Sequence, residues 1–270
     1  MLQSTKTLRF VLPITATLAG CLAEGASSDL GKEGELNAGE PDGASEWDPS
    51  EDGVTHLSGV FDVGIVPERG YGCPAGSDEI RIRMDDEDSR NANRQSGWIG
   101  KTRSDGQTTN TLFVFCRVNG DLFRPLSGAS NASDMADDYA VLKLGTTCPY
   151  GSQEFWRYFD NQDGNNTNYT IGVITPNTSS GSGTRLHFCL FRYAPAGVST
   201  MSNFPDLGLV YGVFAPSDFY RGLSLGYIRT DDEDSGNANG YYATSDALEA
   251  ARRIVQPDGS ATFLRFARVR

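Results

Sequence analysis

Apolar and polar residues alternate along much of the chain. TLFVFCRV at 111–118, TRLHFCLFR at 184–192 and TFLRFARV at 262–269 place aromatic or branched residues at every second position. EIRIRM (79–84) and EFWRYF (154–159) do the same. Such alternation gives a strand one apolar and one wet face. YAVLKL (139–144) and LGLVYGVF (207–214) also read as strands. Only SDALEAARRI (245–254) has helical spacing, with Ser245 as its N-cap. The pattern predicts an all-β body with a single short helix.

The strands belong to a repeat. CPAGSDEIRIRMDDEDSRNAN (73–93) and CPYGSQEFWRYFDNQDGNNTN (148–168) align without a gap and share nine of twenty-one positions. TDDEDSGNAN (230–239) shares eight of ten positions with MDDEDSRNAN. Some 30 residues after each acidic motif comes one of the alternating stretches above. This spacing predicts three tandem homologous β modules, 56–128, 129–200 and 201–270. They are expected either as three small domains or as one pseudo-threefold body.

The repeat also sorts the cysteines. Of five, Cys21 lies outside the repeat, and four would leave three connectivities open. Equivalent positions in the first two copies select Cys73–Cys116 and Cys148–Cys189. The third copy has Phe219 and Ala267 there, so both members are missing together. Two modules are therefore expected to carry an internal disulfide, each worth up to roughly 4 kcal/mol by loop entropy.

Each copy carries an acid-and-amide signature. It runs Asp85-Asp86-Glu87-Asp88 with Asn91 and Asn93, then Asp160-Asn161-Gln162-Asp163 with Asn166 and Asn168, then Asp231-Asp232-Glu233-Asp234 with Asn237 and Asn239. The first Asp, the fourth Asp and both Asn are common to all three. Three readings stand open. Hard oxygen donors at this density suit Ca²⁺, although the spacing is not that of an EF-hand. Asp and Asn also bond their own backbone and shape turns. Direct ligand contact is the third.

The first 55 residues have a different character. Lys6 and Arg9 precede a short apolar run, Phe10–Leu18, and Leu18-Ala19-Gly20-Cys21 follows. The order predicts a lipoprotein signal peptide over 1–20. The box resembles that of bacterial lipoproteins, which implies acyl chains such as palmitate on Cys21 and, with Leu22 rather than Asp next, the outer membrane. Residues 22–55 hold ten acids and one base, a composition that cannot bury enough apolar area to fold. Residues 21–55 are thus expected to be the lipidated cysteine and a disordered tether reaching roughly 30 Å. The formal net charge of −12 argues against nucleic acid as a partner.

The order Cys-Pro-x-Gly-Ser, Asp-Asp-Glu-Asp-x-x-Asn-x-Asn, Gly and then aromatic-x-Phe-Cys-Arg resembles the ApeC domain of apextrins. A second such copy is found in WRYFDNQDGNN (156–166) and LHFC (186–189). The resemblance covers about 71–193, with a weaker echo at 226–269. The chain departs from the family in having Cys116-Arg117 where members often have paired cysteines, and in a third copy without cysteines. The resemblance implies an extracellular module that binds bacterial cell-wall material, peptidoglycan in particular, and carries over no ligand residues.

No catalytic constellation emerges. Gly222-Leu223-Ser224-Leu225-Gly226 matches a nucleophile elbow as a string, but both histidines, His56 and His187, precede the serine. No short Cys/His spacing suits zinc. The expectation is a non-enzymatic, lipid-anchored envelope protein that recognises glycan. Trp98, Trp156, Tyr241 and Tyr242 are candidate stacking surfaces. A structural or adhesion role, with calcium-stabilised or purely structural acidic loops, is the alternative.

Overall fold

The computed structural model describes residues 59–88, 91–105, 110–128, 134–162, 164–194, 196–233 and 236–270. The expected signal peptide, Cys21, the tether and His56 lie outside the described residues, as do Asp163 and Asp234. The described residues belong to one unit, Asp48–Arg270.

Among the described residues, fifteen antiparallel strands form a single sheet. The first copy contributes β1 (Asp62–Pro67), β2 (Glu79–Asp85), β3 (Arg94–Gly97), β4 (Arg103–Asp105) and β5 (Asn110–Asn119). The second contributes β6 (Tyr139–Lys143), β7 (Ser152–Asp160), β8 (Tyr169–Ile171), β9 (Thr178–Ser180) and β10 (Gly183–Phe191). The third contributes β11 (Tyr211–Phe214), β12 (Ser224–Asp231), β13 (Gly240–Tyr242), β14 (Val255–Asp258) and β15 (Ala261–Arg268). Among the described residues one α-helix, α1 (Leu248–Ile254), precedes β14. Its N-cap is Ala247 without a side-chain bond, so Ser245 does not cap it; Ser245 sits in the preceding turn.

The pairings recur in each copy. The long hairpins β2·β5, β7·β10 and β12·β15 come from the alternating stretches. The short strand after each acidic motif crosses to another copy: β8 pairs β2, β13 pairs β7, and β3 pairs β12. At the centre β1, β6 and β11 pair with one another. No copy is therefore self-contained. The expected strand at 207–214 begins only at Tyr211.

Central position explains burial. All six residues of β1 and all five of β6 are buried, because both faces are covered. Ala140 and Leu142 face one core cluster, Tyr139 and Val141 the other. In the first cluster Phe214 meets one phenylalanine from each long return strand. The ring separations are 6.0 Å to Phe115, 5.1 Å to Phe188 and 5.0 Å to Phe266. Each buried ring contributes roughly 1.5–3 kcal/mol.

The second cluster holds both disulfides, Cys73–Cys116 and Cys148–Cys189. The chain thus closes loops of 43 and 41 residues as the repeat predicts. In the third copy Phe219 and Ala267 occupy the same cluster and fill it with carbon.

Candidate functional site

The three acidic motifs lie together at one end of the long hairpins, and each holds the next. The Asp85 amide donates to Asn168 Oδ1 (2.6 Å), and Asp85 Oδ2 accepts from the Thr167 amide (2.6 Å). The Asp160 amide donates to Asn239 Oδ1 (2.9 Å), and Asp160 Oδ2 accepts from the Ala238 amide (2.6 Å). The Asp231 amide donates to Asn93 Oδ1 (2.6 Å), and Asp231 Oδ2 accepts from the Ala92 amide (2.6 Å). Backbone bonds run the same way round, Gln162 to Asp85, Glu233 to Asp160 and Glu87 to Asp231. The ring closes: copy two clasps copy one, copy three clasps copy two, and copy one clasps copy three.

Inside each loop the two asparagines perform one task each. Asn91, Asn166 and Asn237 donate through Nδ2 to the carbonyls of Glu87, Gln162 and Glu233 at 2.7, 2.6 and 2.6 Å. Their Oδ1 atoms accept the amides of Asn93, Asn168 and Asn239 at 2.9, 2.8 and 2.9 Å. These are short Asx links that fix a turn. Asn93, Asn168 and Asn239 then reach the second motif position, Asp86, Asn161 and Asp232. Thr111, Thr184 and Thr262, equivalent residues on the return strands, donate to those same three side chains.

One carboxylate oxygen of each first Asp, and the Oδ1 of both Asn in each copy, is therefore engaged with an amide, and Asp231 Oδ1 accepts from Arg229 at 3.2 Å. Asp88, the fourth Asp of copy one, is exposed and its amide donates to Gln162 Oε1 at 3.1 Å. Among the described residues no group of three or more His, Cys, Asp or Glu gathers in a way that could hold a metal.

The second position differs between copies. Asp232 is fully buried and lies 3.5 Å from the Arg157 guanidinium, itself buried. Burial pushes Asp232 up to about 7 against the pull of Arg157. Arg157 stands where Ile82 and Ile228 stand in the other copies, an inward position on β7 between Phe155 and Phe159. Asp86 is buried with no bond to its Oδ1. Burial, reinforced by the nearby Asp232, raises its carboxyl well above the ordinary value. Asn161 carries no charge at all.

The outer faces of the sheet diverge. On the second hairpin Trp156 stacks on Tyr242 at 6.0 Å and 19°, and Arg185 lies over Trp156 at 4.7 Å and over Tyr158 at 5.8 Å. Tyr242 is 51% exposed and Trp156 is partly buried, so the ladder meets solvent mainly through Tyr242. The crossing strand β13 sets Tyr242 opposite Trp156. On the third hairpin Phe263 is ringed by Arg94, Arg265 and Arg229 at 5.3, 5.4 and 6.0 Å. On the first, a cleft of about 590 Å³ opens over β2 and β5 beneath residues 99–104.

The four aromatic candidates thus separate into two pairs. Trp156 and Tyr242 form the exposed ladder. Trp98 and Tyr241 pack against the core. Trp98 Nε1 donates to Glu68 Oε2 at 3.0 Å, and Tyr241 stacks on Phe155. Gly212 and Gly226 lie so close to Trp98 that a Cβ at either would collide with it. Ser224 lies in β12 opposite Arg268, in extended strand rather than at a strand-to-helix elbow.

An all-β, disulfide-stapled module with no helix long and apolar enough to cross a membrane among its described residues is the class this structure defines. The family model described as bacterial ApeC matches residues 51–198, and the chain belongs to that family. The match spans the first two copies and stops before the third. No curated protein matches the chain, and no solved structure does.

Proposed function

We propose that the protein is an exported, lipid-anchored binding module that recognises cell-wall or surface glycan of the peptidoglycan kind. In this reading Cys21 carries the lipid at the outer membrane and residues 22–55 are the tether. The body is one pseudo-threefold unit made from a triplicated β module. The observation that carries the glycan reading is the Trp156–Tyr242 ladder. Two near-parallel rings on the sheet offer flat apolar area to a sugar ring, chiefly at the exposed Tyr242, and Arg185 over Trp156 supplies a polar group beside it. Family membership supports a binding or structural module.

The test is retention of the mature chain on insoluble peptidoglycan and on a glycan array, beside Trp156→Ala and Tyr242→Ala. Retention that both variants lose by tenfold or more supports the reading. Absence of retention on either matrix overturns it. Incorporation of labelled palmitate, abolished by Cys21→Ser, tests the anchor.

A second reading, a structural or adhesive envelope protein, is favoured by the clasped loops, which act as mortar between copies. Calcium belongs to this reading. A calcium-dependent rise in melting temperature without sugar binding would select it.

A further inference from the structure

We infer that the cleft over β2 and β5 is a second binding site, independent of the ring ladder and built for an anionic sugar, a pyranose bearing a carboxylate or phosphate. Charge is the first reason. The chain as a whole is strongly acidic, at −12, yet the described residues lining this cleft include four cations, Arg69, Arg81, Lys101 and Arg103, and one carboxylate, Glu79.

The cations fall into two pairs with different tasks. Glu79 bridges Arg81 at 2.6 Å and Lys101 at 2.7 Å, which pins both in place. Its bond from Lys101 holds its carboxyl below the usual range despite partial burial, so it stays ionised at neutral pH. Arg69 and Arg103 are exposed and have no side-chain ion pair among the described residues. An unpaired guanidinium presents a planar fork that fits a carboxylate or phosphate in bidentate fashion.

The remaining lining suits a ring. Tyr169, brought in by the crossing strand β8, is 41% exposed at the rim, and Leu112 and Val114 of β5 supply apolar floor. Ser104 adds a buried hydroxyl whose oxygen has no hydrogen-bond partner. About 590 Å³ lies within the range of small-ligand sites and accommodates one or two sugar rings. At the position of Arg81 the second and third copies carry Trp156 and Tyr227.

Calorimetric titration of the mature chain decides the matter, with trigalacturonic acid, glucose 1-phosphate, maltotriose and inorganic phosphate as probes. At least one of the two anionic sugars is expected to bind, and which one identifies the oxyanion. Arg69→Ala with Arg103→Ala is expected to weaken that binding at least tenfold, while Trp156→Ala leaves it unchanged. A rise from 0.1 to 1 M NaCl provides a readout that needs no variant, and is likewise expected to weaken binding at least tenfold. Equal affinity for maltotriose, or anionic-sugar binding indifferent to both the double variant and salt, would overturn the inference. So would inorganic phosphate binding as tightly as the sugars, or no binding by either anionic sugar. Because Trp156 is outside the cleft, failure here leaves the ladder reading standing, and the reverse also holds.

Discussion

Asp85, Asp160 and Asp231 make the same bonds to the same kinds of partner, whereas the residues two places earlier are Arg83, Tyr158 and Arg229. The first set points into the clasp between copies and the second onto the outer faces. The contrast teaches where repetition is enforced. A clasp handed from copy to copy works only if all three loops have one shape. The outer faces also cross between copies, as Trp156 does to Tyr242 and Phe263 to Arg94, but they hand on no loop of fixed shape, so each can carry different chemistry: a cationic cleft, a ring ladder or an arginine-ringed phenylalanine.

The sharpest way to break this contrast is at the staples. Removing Cys73–Cys116 by paired serine substitution is expected to cost about 2–5 kcal/mol, read by urea unfolding. If the loss were negligible, the first copy would stand as firmly as the third, where Phe219 and Ala267 serve instead.

Next comes the clasp. Asp160→Ala leaves the Ala238 amide without its acceptor and should cost about 1–3 kcal/mol. Asp85→Ala and Asp231→Ala should cost similar amounts. Markedly unequal losses would show that the three loops are not equivalent in energy.

Asp86→Asn should act the other way. Copy two already carries Asn161 there, and the change removes a buried charge that lacks a guanidinium. A gain of about 1 kcal/mol is expected near pH 8. The pH dependence follows. Asp86 and Asp232 hold their protons in the fold above the ordinary value of 3.8, Asp232 to about 7. Below that ordinary value their contribution is complete. As pH rises toward neutrality the unfolded chain binds fewer protons than the folded one, so stability falls. Thermal midpoints from pH 4 to 8 should decline, with a shallower slope in Asp86→Asn.

Smallest of all should be the effect of Trp156→Ala on stability, within about 1 kcal/mol for a ring on the sheet's outer face. Its effect on glycan retention is expected to be large. A variant that unfolds instead would move Trp156 from the outer chemistry to the scaffold.

Much of this was readable in the residues, for identifiable reasons. Strands whose residues alternate in sequence stand out, so β2, β7, β10 and β15 announce themselves, and β5 does so through its alternating aromatics although it is almost wholly buried. The disulfides follow from two copies sharing a position that the third lacks altogether. β1 was not legible, because Asp62–Pro67 is covered on both faces and shows no alternation. Nor were β3, β8 and β13, three or four residues long and largely polar or mixed, which form because another copy offers an edge. The acidic signature was legible as a site but not as a clasp, since its partners lie some 80 to 139 residues away. Arg157 could have been caught: its place between Phe155 and Phe159 is an inward register, where a guanidinium demands a buried acid.

The hand-over from the third copy to the first has a consequence for how the chain comes to be folded. Ala92 waits for a carboxylate 139 positions further on, and β3 has no strand to pair with until β12 arrives. A ribosome or export channel delivering this polypeptide from its amino end releases those residues long before their partner. Until the last third emerges, the ring of clasps lacks its third member and cannot close.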